Sequence, residues 1–214
     1  MATSRLLLFA PGAGAPSSSS WMRAWKTRLE RLGRVVPFDY PYQQKGKKAP
    51  DRPPVLVSSH RAELARLSAE HEGPIVLVGK SMGGRIGCHV AVELAREEAA
   101  DPDRRAREGG LRPVALVCLG YPLVAPGGAV RDEVLLELRT PVLFVQGTRD
   151  SMCPLERLAA VRERMQVESE LHVVEGGDHS LTLQKTALAK QGLSQEEVDE
   201  RIFAAIEGFV ARVA

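Results

Sequence analysis

The sequence predicts an α/β fold, a mostly parallel six-stranded sheet with helices on both faces. Three observations lead there. Short apolar runs bounded by turn residues recur along the chain, amphipathic helical patterns alternate with them, and the runs are rich in Val and Leu on both faces, as strands covered on two sides require. The runs are Leu6–Phe9, Val35–Phe38, Ile75–Val78, Val114–Leu119, Val142–Val145 and Leu171–Val174. The helical patterns are Trp21–Leu32, Leu56–Glu70, Gly84–Glu97, a weak one at Val134–Leu138, Leu155–Met165 and Gln195–Val210.

Each element has a local reason. Ser19 or Ser20 can cap the helix that opens at Trp21 by accepting an orphan backbone N–H. Two segments interrupt the alternation. EEAADPDRRAREGGLRP, before the fourth strand, is charged and turn-forming and reads as a solvated connector. DYPYQQKGKKAPDRPP, residues Asp39–Pro54, mixes tyrosines, lysines and prolines. It reads as a surface loop with the composition of one that touches a ligand or partner.

Composition sets the bounds. A chain of 214 residues fits one domain, 1–214, and its 44% hydrophobic and 26% charged residues match globular averages, so it can bury its own core. The net charge of +2, from 29 basic and 27 acidic residues, gives no field suited to a nucleic acid or an anionic membrane. The apolar run near the N-terminus has strand length and leads into a glycine turn, unlike a signal peptide, and no segment is long enough to span a bilayer. Cys88, Cys118 and Cys153 are odd in number and widely spaced, which suggests neither zinc nor a disulfide framework. A cytoplasmic setting without metal or cofactor is the expectation.

The chemistry concentrates at Gly79-Lys80-Ser81-Met82-Gly83, a G-x-S-x-G pattern between an apolar strand and a helix that opens with small residues. Such a strand-to-helix turn is a nucleophile elbow: the serine takes a strained conformation, and the glycines two before and two after it relieve collisions. A hydroxyl needs a base, and the base needs an orienting acid, in the chain order Ser, Asp, His. Asp150 follows the strand PVLFVQG, and His179 follows the strand and glycine turn of LHVVEGGDHS. His60 and His71 bracket a helix, His89 lies within the helix after the elbow and His172 sits inside a strand, and each reads as a packing or surface residue. Asp178 competes with Asp150, but its glycine-flanked position favours a turn role. The oxyanion formed on attack needs two backbone donors. Met82, after the nucleophile, supplies one, and Ala13 in Pro11-Gly12-Ala13-Gly14-Ala15 supplies the other. Cys153 reads as a buried thiol. Lys80, Arg85 and Arg149 read as solvated basic residues, with an anionic acyl group as the alternative they leave open.

With Ser81, Asp150 and His179 in this order, the chain resembles a compact α/β-hydrolase over nearly its whole length, without the edge strands that usually come first and with little or no cap domain. Only Tyr121–Leu138 is free to act as a lid. More narrowly, LLFAPGAG, FDYPYQQKGKKAPDRPP, VGKSMGGR, GYPLVAPG, PVLFVQGTRD and EGGDHS together resemble the predicted hydrolase branch that includes a testis-expressed protein and the third regulatory subunit of the NSL histone-acetyltransferase complex. Dienelactone hydrolases are related but use cysteine at the elbow. Pro11 stands where a histidine often precedes the oxyanion glycine. The expectation is a carboxylesterase-like serine hydrolase acting on a small ester or thioester, with a scaffold or binding protein of the same fold as the alternative; the resemblance also leaves room for a protein partner. A haloalkane or epoxide hydrolase would need an aspartate at position 81.

Overall fold

The computed structural model describes residues 5–103 and 113–214. Six strands, β1 (Leu6–Ala10), β2 (Arg34–Pro37), β3 (Ile75–Lys80), β4 (Ala115–Leu119), β5 (Val142–Gly147) and β6 (Ser169–Val174), form one sheet in the order β2-β1-β3-β4-β5-β6. Every pairing in it is parallel. The described helices are α1 (Ser20–Leu29), α2 (Pro41–Gln44), α3 (Pro53–Glu70), α4 (Met82–Ala100), α5 (Glu133–Leu136), α6 (Leu155–Arg162), α7 (Lys185–Gln191) and α8 (Gln195–Val213).

The period of two along each strand divides the core into two layers. Leu6, Leu8, Leu77, Leu116 and Phe144 pack with Leu64 and Leu67 of α3, Ile86 and Val90 of α4 and Leu158 of α6. Leu7, Phe9, Val76, Val117 and Val145 face the other way, toward Met22, Trp25 and Leu29 of α1 and Ile202, Ile206 and Phe209 of α8. The four inner strands are buried along their whole length, whereas β2 and β6 are partly open to solvent, as edge strands are.

All six strands and all six helical patterns expected from the sequence are present, with ends shifted by a few residues. Ser19 is the residue that caps α1, its hydroxyl accepting from the Met22 N–H. The supposed connector before β4 begins later than its composition suggests, because α4 runs on through Ala100; residues 104–112 of it lie outside the described part. Asp39–Pro54 is less of a loop than expected: Tyr40 and Tyr42 are buried, α2 forms within it, and the prolines at its end begin α3, where a missing N–H is no loss. Among the described residues no helix is long and apolar enough to cross a membrane.

The fold carries a built-in acid sensitivity. His60 is fully buried between α3 and its neighbours, one ring nitrogen against the Tyr40 hydroxyl at 3.1 Å, and burial pulls its pKa down to about 3. Partial burial, with Arg85 and Arg96 nearby and Glu133 opposing them, pulls His89 to about 4. Unfolded histidine protonates near 6.5, so on acidification below that value the unfolded chain takes up protons that the folded chain refuses. Stability is expected to fall as the pH drops from about 6.5 toward 4. His60 contributes up to about 1.4 kcal/mol per pH unit, and the more solvated His89 a smaller, screened share. Chemical denaturation at stepped pH measures this, and His60→Asn should flatten the slope.

Candidate active site

The chain leaves β1 for β2, then turns back past β1 to form β3, so connections run in opposite directions from the β1–β3 pair. At such a switch point the loops beyond the carboxyl ends of the two strands part and leave a crevice. Ser81 stands at the end of β3 and Pro11–Ala15 at the end of β1. A Cβ built on Gly12 would lie 3.4 Å from the Ser81 Cβ, so the two loops are in contact.

Ser81 has φ 50° and ψ −115°, a conformation that side chains rarely adopt and that costs on the order of 1–3 kcal/mol. Its N–H is tied to the Leu119 carbonyl at 3.0 Å. Close packing explains the flanking glycines. A Cβ on Gly79 would sit 2.1 Å from the Gly84 nitrogen, and one on Gly83 would sit 2.5 Å from the Ala10 carbonyl oxygen. Strand and helix touch backbone to backbone here, with no flexible side chain to give way. Gly79→Ala is therefore expected to destabilise the protein by at least about 3 kcal/mol in urea titration, against less than about 1 kcal/mol for Gly14→Ala, where a Cβ meets nothing.

The three sequence-predicted side chains meet in this crevice. His179 Nε2 lies 2.8 Å from Ser81 Oγ, and His179 Nδ1 lies 2.8 Å from Asp150 Oδ2. Asp150 is buried, and its other oxygen accepts the Met152 N–H at 2.9 Å. Asp178 has the turn role expected of it: its Oδ1 accepts the N–H groups of Ser180 at 2.7 Å and Thr182 at 3.0 Å, shaping the loop that carries His179. Trp21 of α1 donates its indole N–H to the Ser180 carbonyl at 3.0 Å and fixes that loop from the other side. None of the other histidines is hydrogen-bonded to Ser81.

Three supports were not legible in the sequence. Gln146, fully buried at the end of β5, donates to Asp150 Oδ2 and accepts the Tyr121 N–H at 2.9 Å, so one amide sets both the acid and the turn after β4. A polar residue in an otherwise apolar strand was the available signal. Lys80 corrects the reading of a solvated base: it is buried, and its ammonium donates to the His179 carbonyl. Burial pulls its pKa down to about 8, while the carboxylates of Asp150 and Asp178 pull the other way. Arg149 is exposed, as expected, whereas Arg85 is half-buried. The third support answers the question of Pro11. Gln43 donates to the carbonyls of Gly12 and Ala15, both at 3.0 Å, and the Tyr42 hydroxyl donates to the Ala13 carbonyl at 3.0 Å. The segment Asp39–Pro54 thus braces Pro11–Ala15 without a histidine. Since the peptides here are trans, fixing the Gly12 carbonyl also fixes the Ala13 N–H, which points the opposite way.

Cys88, Cys118 and Cys153 are all buried free thiols, and burial pushes Cys153 up to about 12. Among the described residues no group of His, Cys, Asp and Glu could hold a metal ion.

Fold and site together define an alpha/beta hydrolase. The family model of the alpha/beta hydrolase domain matches residues 3–211, and the chain belongs to that family. Solved structures share its fold at low identity. An alpha-beta serine hydrolase homologue from Coxiella burnetii is 20% identical with a TM-score of 0.65, over 84% of this chain and 78% of that one. The RedJ thioesterase of the prodiginine pathway in Streptomyces coelicolor is 18% identical with a TM-score of 0.65, over 97% and 86%. A dienelactone hydrolase from Anabaena variabilis is 16% identical with a TM-score of 0.64, over 99% and 87%.

Proposed function

We propose that the protein is a serine hydrolase that cleaves a small ester or thioester through an acyl-Ser81 intermediate. The observation that carries this reading is the continuous hydrogen-bonded path from Ser81 Oγ through the His179 ring to Asp150. In the first half-reaction His179 Nε2 takes the Ser81 proton as Oγ attacks the carbonyl carbon, and Asp150 stabilises the imidazolium. The backbone N–H groups of Met82 and Ala13 receive the oxyanion. Met82 opens α4, where the first N–H groups have no partner within the helix, and Ala13 lies in the loop braced by Tyr42 and Gln43. His179 then returns the proton to the departing alcohol or thiol. In the second half a water gives its proton to His179, adds to the acyl carbon, and Ser81 leaves with that proton.

The segment available as a lid is Tyr121–Leu138, folded as a small hairpin by the Val124–Val130 bridge, with Gly127 and Gly128 at positive φ. So slight a lid suits a small or partly enclosed substrate. We further infer a single domain over 1–214, a cytoplasmic setting, and placement beside the testis-expressed protein and the NSL-complex subunit on the joint strength of the motifs. A fluorophosphonate probe tests the reading. Wild type is expected to gain one adduct, located on Ser81 by peptide mass; folded protein that gains none would instead be a binding or scaffold protein on this fold.

A further inference from the structure

Three polar groups, two on α4 and one in the turn after β4, lack the partners that buried polar groups normally have. Tyr121 is fully buried and its hydroxyl has no hydrogen-bond partner; the Arg85 Nε and the His89 Nε2 are likewise buried and unpartnered. Arg85 and His89 follow Ser81 at intervals of four on α4, hence on one face, and the Arg85 N–H donates to the Ser81 carbonyl at 3.2 Å. Helical side chains lean toward the helix N-terminus, which directs the Arg85 guanidinium back toward Ser81. Arg131 comes from the facing hairpin. Its N–H donates to the Leu123 carbonyl at 2.9 Å, and the Leu123 N–H donates to the Tyr121 carbonyl at 3.1 Å, so hairpin base and tyrosine are one unit.

Neither Arg85 nor Arg131 has an acidic partner among the described residues, whereas Arg28, Arg31, Arg61, Arg66, Arg96, Arg164 and Arg212 each pair with a carboxylate. Glu133, the acid of the neighbouring α5, acts on His89 one turn further along. Burial first, and then repulsion from Arg85, disfavours the Arg131 charge, and Tyr121 belongs to the same cluster. Two half-buried like charges held together over an orphan hydroxyl are unfavourable unless an anion joins them.

We propose that Arg85, Arg131 and the Tyr121 hydroxyl form a carboxylate-recognition site, so that Ser81 acts on monoesters of short dicarboxylic acids, the free carboxylate gripped by the guanidinium pair. Planar guanidinium forks match a carboxylate's two oxygens, and the tyrosine hydroxyl donates to one of them. The inference rests on the serine hydrolase reading for its chemistry, though not for its binding.

The test compares mono-p-nitrophenyl adipate with p-nitrophenyl hexanoate, equal in chain length and different in terminal charge. Wild type is expected to prefer the adipate ester in kcat/KM by about 10- to 100-fold, mostly through KM and less so at high salt. In Arg131→Gln that preference should collapse to near one, and Tyr121→Phe should reduce it while leaving the ring packed on Phe144. Equal rates on the two esters, or a preference that survives Arg131→Gln and Tyr121→Phe alike, overturns the proposal. A second measurement needs no turnover: adipate should raise the melting temperature of Ser81→Ala protein and not of the Ser81→Ala/Arg131→Gln double variant. If Ser81 takes the fluorophosphonate and hexanoate is cleaved without adipate preference, the site fails and the hydrolase stands. If neither ester is cleaved but adipate still protects through Arg131, the hydrolase reading fails and the site stands.

Discussion

Replacing Ser81 with Ala is expected to lower kcat on a p-nitrophenyl ester by about 100,000-fold or more while leaving the denaturation midpoint close to wild type. The rate follows from the covalent route: without Oγ there is no atom 2.8 Å from His179 Nε2 to attack the acyl carbon, and only the oxyanion donors and binding remain. The stability follows from the backbone. Alanine at φ 50° keeps the strain of serine there, so removing the hydroxyl relieves nothing. Ser81→Gly should be equally inactive yet more stable by about 1 kcal/mol, because glycine adopts that conformation without a Cβ penalty. Retained activity in both variants, with a matched vector control, would remove Ser81 from the chemistry.

Asp150→Asn carries the second large expected effect, a loss of about 10,000-fold in kcat with little change in KM. Asp150 Oδ2 accepts from both His179 Nδ1 and the Gln146 amide, and Oδ1 accepts the Met152 N–H. An asparagine can satisfy only part of this set. Whichever way its amide turns, it offers an N–H to a group that is itself a donor, or it leaves His179 in the tautomer that carries a proton on Nε2. That nitrogen then cannot take the serine proton. Pre-steady-state release of p-nitrophenol checks the assignment, since acylation itself should slow and no burst should appear.

Much of this arrangement could be foreseen from residue order. Ser81, Asp150 and His179 each follow an apolar strand that ends in a turn, and the carboxyl ends of parallel strands lie on one edge, so separation along the chain did not hide their meeting. What stayed hidden has a physical pattern. Helix α7 buries no residue, so QKTALAKQ carries no apolar periodicity to betray it. Lys80 and Gln146 occupy positions where strand alternation predicts burial but residue type predicts solvent, and only their partners, the His179 carbonyl and the Asp150 carboxylate, decide the conflict. The bracing of Pro11–Ala15 by Tyr42 and Gln43 links residues about thirty apart through side-chain contacts to main-chain oxygens, which no spacing rule encodes.

The contact between Ser81 and His179 spans 98 positions, and His179 comes after β6, the last strand of the sheet, which pairs with β5 alone. A nascent chain on the ribosome therefore exposes its alcohol long before it owns a base. On the serine hydrolase reading, reactivity would arrive only in the final third of translation, once β6 docks, and a prematurely terminated product ending near residue 150 is expected to be inert toward acyl compounds, however well its first half has folded.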